Sequence, residues 1–172
     1  REQPVLEMEE DIKSDKLDLA FVLESTKPSS HYFDCVHLCS ERLVLGIPKK
    51  HPMAQYAAPR GRALNTISLE HFKNDPFALM FAGSTMRHVI DPLFEEAGYL
   101  PSIRYETHMN NVLFRLLQNG LCCTIIPESF VRESSNVVWF YPEQMPAWDW
   151  YIIFSKDRVL TSADKYLIEL SK

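Results

Sequence analysis

Two short runs carry the residue types and spacing to hold a ligand. Gly83-Ser84-Thr85-Met86 stands before Val89, Ile90, Leu93, Phe94 and Ala97, an apolar stripe that includes Met86 and ends at Gly98. That pattern predicts a helix with its first turn at Ser84-Thr85. A helix start offers free N–H groups and the positive end of the helix dipole, and the hydroxyls of Ser84 and Thr85 add donors. Such chemistry suits a carboxylate. An ordinary N-cap is the commoner role of Ser or Thr, and the residues alone leave both readings open. Thr107-His108-Met109-Asn110 precedes Val112, Leu113, Leu116 and Leu117, which end at Gly120. This is a second helix start, and again polar contact with a ligand stands beside plain capping, by Asn110 or Thr107.

Other chemistry is less well supported. In an extended strand Cys35, His37 and Cys39 would share one face, with His31 nearby. The spacing is not one of the usual zinc arrangements, so no metal site is expected. Cys122 and Cys123 fall in a buried-looking strand, where cysteine is usually a small core residue; a redox role would need an exposed, activated thiol. Six histidines are present, but no G-x-S-x-G, P-loop or H-E-x-x-H pattern. No catalytic constellation emerges, so an enzyme is not the expectation and no cofactor is implied.

The bulk numbers are those of an ordinary globular protein. A chain of 172 residues can bury a real core, as one domain or two small ones. Its net charge of −5 argues against a large nucleic-acid footprint on these residues. The longest apolar runs, such as Trp148–Phe154, are too short to cross a bilayer. Arg1–Asp11 is acidic and lacks the apolar core of a signal peptide. Four cysteines do not make a disulfide framework at this length, and reduced thiols in the cytoplasm are the expectation.

The elements that must position these residues alternate. Pro4–Ser14 predicts a helix, with Val5, Met8 and Ile12 at helical spacing. Leu17–Leu23 is a nearly continuous apolar run, as in a parallel strand covered on both faces. A polar loop follows through Pro28-Ser29-Ser30. Asp34–Leu38 and Leu43–Ile47 predict two strands, Gln55–Asn65 an exposed connection, Ile67–Phe72 a short helix or turn, and Phe77–Phe81 a strand. Ser102–Glu106, Cys122–Ile126, Val137–Tyr141 and Trp148–Phe154 are further strands, and Ala163–Leu170 a closing helix. Trp148 and Trp150 alternate and are expected to pack on a core face. This alternation favours a parallel α/β sheet. Pro92 interrupts the stripe after Met86, where an interior proline costs about 3 kcal/mol. Either the helix kinks there or Asp91 caps a new start; the unbroken stripe favours the kink.

Leu17-Asp18-Leu19-Ala20-Phe21, then Glu41-Arg42-Leu43-Val44-Leu45-Gly46-Ile47-Pro48-Lys49-Lys50-His51-Pro52-Met53-Ala54, resembles the effector-binding domain of LysR-type transcriptional regulators. There the pattern L-D-L-A-I … E-x-L-V-L-V-x-P-x-x-H-P-L-A recurs at this spacing. Gly98-Tyr99-Leu100-Pro101 is similar to the family's G-x-x-P, and Val112–Pro127 to its L-x-L-V-x-x-G-L-G-I-A-x-L-P. The resemblance implies two Rossmann-like α/β subdomains with a ligand cleft between them, a type 2 periplasmic-binding-protein-like fold. By analogy the chain crosses between subdomains near Ile47–His51 and Val137–Tyr141. Residues 1–49 and 138–172 would then form subdomain I, incomplete at its start, and residues 50–137 subdomain II. The resemblance also implies an effector site of Ser84, Thr85, Met86, Leu23, Glu24, His108, Met109 and Asn110. The expected ligand is a small organic anion, and the intact protein is expected to be a homo-oligomer. The alternative is a type 2 solute-binding protein serving a transporter.

Three departures from the family pattern bear on this reading. Asp15 stands where the family has a helix-terminal Gly, and Cys122 replaces the second Gly of G-L-G. The family's winged helix-turn-helix, linker helix, first strand, first effector-domain helix and second strand are absent from the sequence. The chain is therefore expected to be a fragment that meets DNA only through an N-terminal domain it lacks.

Overall fold

The computed structural model describes residues 5–28, 31–132 and 134–171. They fall into two compact units, residues 1–41 with 148–172, and residues 42–147. The crossings expected from the resemblance, near Ile47–His51 and Val137–Tyr141, lie inside the second unit.

Unit 1 is built on strand β1 (Ala20–Glu24), the first part of the long strand β2 (Phe33–Pro48) and strand β8 (Ala147–Ser155). β8 lies between β1 and β2. It runs antiparallel to β1, with Ala20 opposite Ile153 and Glu24 opposite Asp149. Alternation along β8 sends its side chains to two faces. Tyr151 and Ile153 pack with Ala20, Val22 and Phe33 under helix α1 (Val5–Lys13), which buries Ile12. Ile152 and Phe154 pack on the other face with Ile168 of helix α4 (Ser162–Leu170). α4 begins in a capping box, in which the Thr161 hydroxyl accepts from the Asp164 N–H and Asp164 reaches back to the Thr161 N–H. Trp148 and Trp150 each donate their indole N–H to Glu41 at 3.2 Å. Asp15 takes the left-handed conformation of the family glycine, φ 55°, which Asp tolerates better than most side chains.

Unit 2 contains the rest of β2, strand β3 (Thr66–Ile67), β4 (Pro76–Met80), β5 (Ser102–Thr107), β6 (Thr124–Pro127) and β7 (Val137–Pro142). β2 pairs antiparallel with both β6 and β7, β7 pairs parallel with β3, and β4 pairs parallel with β5. A parallel bridge between Phe77 and Cys123, with Ala78 N–H donating to Cys123 O at 2.9 Å, joins β4 to β6. The resulting order is β5-β4-β6-β2-β7-β3.

Helix α2 (Thr85–Glu96) and helix α3 (Asn110–Gln118) cover opposite faces. Phe77 meets Phe94 of α2 edge-on at 5.0 Å, and Phe94 meets Tyr99 at 5.5 Å. The neighbouring residue, Ala78, points the other way into Leu113, Leu117, Val44 and Trp139. Full burial of a Phe such as Phe77 or Phe94 contributes about 1.5–3 kcal/mol. α3 sits so close to β2 that a Cβ on Gly46 would lie 2.4 Å from Leu117 Cδ2 and 2.6 Å from Trp139 Cζ3. A side chain at this position would require the Leu117 and Trp139 side chains to give way.

The structure corrects two sequence expectations. The sheets are mixed rather than parallel: within the apolar run Leu17–Leu23, the strand Ala20–Glu24 is antiparallel to β8 and alternates in burial, with Phe21 exposed. Asp34–Leu38 and Leu43–Ile47 are one strand, because the polar Ser40-Glu41-Arg42 between them continues extended. α2 continues through Pro92 with no new start at Asp91, in line with the unbroken apolar stripe. Pro92 is on the exposed side, so the His88 carbonyl that loses its donor is left to water rather than to the core. Pro4, Ser29 and Ser30 lie outside the described residues. No helix among the described residues is long and apolar enough to cross a membrane.

Candidate functional site

β4 and β5 are parallel, so their carboxyl ends lie at one edge, with Met80 opposite Thr107 and Phe81 N–H donating to Thr107 O at 3.0 Å. From β4 the chain leaves over one face through α2; from β5 it leaves over the other through α3, returning to β6 on the far side of β4. Such a reversal of strand order marks the kind of position, outside the strand ends, where open α/β folds place their ligands.

The two loops at this edge are held differently. After β4, Gly83 takes φ +82° and turns the chain into α2. Ser84 is its N-cap: the buried Oγ accepts the Arg87 N–H at 3.3 Å, and Ser84 O accepts the His88 N–H at 3.1 Å. Thr85 is half-buried at the first helical position. Met86 is 2 % exposed in the core, so it can offer a ligand only its backbone N–H. The N–H groups of Thr85 and Met86 precede the first intrahelical bond.

After β5, the Thr107 hydroxyl accepts the Met109 N–H at 3.2 Å. His108 stacks on Phe81 with ring centroids 4.1 Å apart, which joins the two loops. Met109, not Asn110, is the N-cap of α3, and it supplies no side-chain bond. Asn110 is the first helical residue, and its Oδ1 is buried without a hydrogen-bond partner. A buried acceptor without a donor costs about 1–3 kcal/mol, which a ligand donor would offset.

Beneath both loops lies Arg87, which the helical stripe concealed. Its Nε is 2.6 Å from Asp91 Oδ1, and its Nη1 donates to Glu106 Oε1 at 2.8 Å and to Met80 O at 3.1 Å. Burial acts to lower its pKa, but the bonds to Asp91 and Glu106 outweigh it and push the pKa up. The guanidinium thus ties α2 to the last residues of β4 and β5. The i, i+4 spacing of Arg87 and Asp91 was the available sequence signal.

Ser84, Thr85, Met86, His108, Met109 and Asn110 are thereby brought to one strand-end edge of unit 2. Leu23 and Glu24 belong to unit 1, half-buried at the end of β1 opposite Trp150 and Asp149. His37, considered for a metal, instead lies with Nε2 3.2 Å from Asp149 Oδ1, and no metal-ligand cluster occurs among the described residues. Cys122 and Cys123 are buried, and burial pushes both thiols up, Cys122 to about 11.

Two covered sheet faces, a reversal of strand order and paired helix starts at the strand ends define an α/β ligand-binding domain. The chain belongs to the LysR substrate binding domain family, whose model matches residues 1–172. It is 30 % identical over 128 residues to the HTH-type transcriptional regulator YybE of Bacillus subtilis (strain 168), covering 74 % of this chain and 40 % of that protein. The chain thus spans less than half the length of the curated relatives it matches. The fold is that of the effector-binding domain of QuiR in complex with shikimate, with TM-score 0.74, 20 % identity, and 98 % of this chain and 77 % of that chain covered. It is also that of the regulatory domain of Synechocystis PCC6803 CcmR in complex with 2-PG, with TM-score 0.76, 17 % identity, and 98 % and 78 % covered. The type 2 periplasmic-binding-protein-like architecture expected from the sequence is therefore present, and the chain is an effector-binding domain.

Proposed function

We propose that this domain senses a small organic anion that also carries a hydrogen-bond donor, such as a hydroxy or amino acid, at the strand-end edge of β4 and β5. The observation that carries the reading is the pairing of two helix N-termini with the unpartnered Asn110 Oδ1. The first-turn N–H groups of α2 and the Thr85 hydroxyl take the carboxylate, while Asn110 Oδ1 accepts from the ligand's own hydroxyl or amine. His108, Met109 and the backbone of Met86 bound the same edge. The shikimate complex of QuiR, a carboxylate bearing hydroxyls, agrees with this chemistry.

The domain binds its ligand without turning it over and needs no cofactor. In the intact protein, effector binding to one conformational state shifts the population toward it, and so adjusts transcription from DNA held by a helix-turn-helix outside these residues. The names of the relatives support this regulatory reading, under which the intact protein would act as a homo-oligomer in the cytoplasm.

A thermal-shift screen of small hydroxy acids, amino acids and aromatic acids identifies the ligand. Calorimetry then tests the site: losing one hydroxyl bond to a charged group costs about 1.5–3 kcal/mol, so Thr85→Ala weakens binding roughly ten- to a hundredfold. Unchanged affinity would leave Thr85 a helix residue only. The family's implication that Leu23 and Glu24 also contribute is tested by Glu24→Gln in the same titration. Electrophoretic mobility shifts with the protein at its full natural length, with and without ligand, test the regulatory step.

A further inference from the structure

The strand-end edge of unit 2 carries a second cluster, on the far side of β4 from β5. Arg42 opens the unit 2 part of β2. Its guanidinium donates twice to Glu128, from Nε to Oε2 at 2.9 Å and from Nη2 to Oε1 at 3.3 Å. The Tyr141 hydroxyl donates to the same carboxylate. Arg42 Cζ lies over the buried Tyr141 ring, 4.5 Å from its centroid.

The pairings place this cluster beside the start of α2. Leu43 is opposite Pro127, so Arg42 and Glu128 are the next pair along β2 and β6. β6 is parallel to β4 through Phe77 and Cys123. Counting on from that bridge sets Pro127 level with Phe81, and Glu128 level with Ala82, just before Gly83 and Ser84. Neighbouring strands are about 4.8 Å apart. Glu128 is thus one strand spacing from the turn into α2, and the backbone of Arg42 two.

The Glu128 carboxylate already stands where a ligand's carboxylate could stand. A planar guanidinium pairs carboxylates in this two-bond geometry. The pair is open to exchange: Arg42 and Glu128 keep 47 % and 33 % of their side-chain surface exposed, and ion pairs so exposed contribute little net stability. The Tyr141 ring holds the guanidinium in place when its partner leaves. We infer that the ligand of the proposed site is a dicarboxylate, a hydroxy or amino diacid. Its first carboxylate lies at the start of α2, and its second replaces Glu128 on Arg42. This rests on the proposed function and adds to it a second charge and its anchor. A four- or five-carbon diacid spans about one strand spacing. Charge on the guanidinium is conserved, since one carboxylate arrives as Glu128 turns to water. Without ligand, Glu128 is an internal competitor that occupies Arg42.

The test is calorimetry on the protein at its full natural length with two matched pairs, malate against 2-hydroxybutyrate and 2-hydroxyglutarate against 2-hydroxyvalerate. Within each pair the first carboxylate, the hydroxyl and the chain length are shared. In at least one pair the diacid should bind about tenfold tighter or more. Arg42→Met should bring that ratio below about threefold. Glu128→Gln keeps an acceptor for Tyr141 but no competing charge. It should tighten diacid binding about threefold or more, a gain that damage to the fold cannot produce. Monoacids that bind as tightly as the diacids would overturn the inference and leave the proposed site standing. Absence of binding by all four acids at millimolar concentration would overturn both. A diacid preference that both variants leave within twofold would also overturn the inference, because the second charge would then be held elsewhere.

Discussion

The starts of α2 and α3 occupy adjacent strand ends of one sheet, yet they treat their polar side chains differently. At α2 the buried Ser84 hydroxyl is spent on the helix itself, accepting the Arg87 N–H. At α3 the cap is Met109, which has no side-chain acceptor, and the amide of Asn110 keeps a buried oxygen without a partner. A polar group that the fold satisfies is frame. One that the fold buries and leaves unsatisfied costs stability, which a ligand can return. Under the proposed function, Ser84 would serve mainly the scaffold and Asn110 mainly recognition, although both stand at helix starts.

The largest effect should come from the group that supports both starts. Arg87→Met removes the bonds to Asp91, Glu106 and the Met80 carbonyl together. Both carboxylates are partly exposed and water can reach them, which moderates the loss; unfolding free energy should fall by about 2–3 kcal/mol. Urea denaturation reads it, and a change under 1 kcal/mol would show that the guanidinium is not the common support. Next is Asn110→Ala. Affinity for the effector should drop about tenfold, or about 1.4 kcal/mol, while stability stays level or rises because the orphan acceptor is gone. A variant that lost stability and kept affinity would reverse the comparison. Smaller still is Ser84→Ala, about 1 kcal/mol of stability as for other N-caps. Ser84→Asp sharpens the contrast: it keeps a capping acceptor, so stability holds, but it sets a negative charge where the anion binds, so affinity falls.

How far the sequence showed this contrast depends on scale. The hydroxyl runs, the glycine at position 83 and the apolar stripes placed both helix starts to within a residue or two, because capping chemistry is local. Strand direction was not legible. An apolar run such as Leu17–Leu23 records burial, not which neighbour it pairs with, and here that neighbour is β8, from far along the chain. The polar Ser40-Glu41-Arg42 looked like a break, yet Glu41 accepts from two tryptophans of β8 and Arg42 reaches Glu128 at 2.9 Å. Long-range partners hold that stretch extended. Arg87 was hidden for the same reason: two of its acceptors are 7 and 19 residues away. The orphan oxygen of Asn110 turned on a one-residue choice of cap, finer than any spacing argument resolves.

The smallest expected change is a control on that choice. Cys122 packs with Leu113 and Leu117 of α3, so its reactivity reports whether the helix is seated. With its pKa pushed up by burial to about 11, the thiolate fraction at pH 8 is about one in a thousand, before the burial of the sulfur is counted. Cys39 is exposed and Cys35 half-buried. A disulfide reagent at pH 8, followed by mass spectrometry of the labelled peptides, should therefore mark Cys39 first and Cys35 more slowly. Cys122 and Cys123 should react only in urea. Asn110→Ala should leave this order and these rates unchanged if its side chain serves the ligand alone. If the substitution instead brings Cys122 labelling toward the rate of Cys39, then Asn110 holds α3 on the sheet, and its effect on affinity would be that of a loosened helix rather than a lost contact.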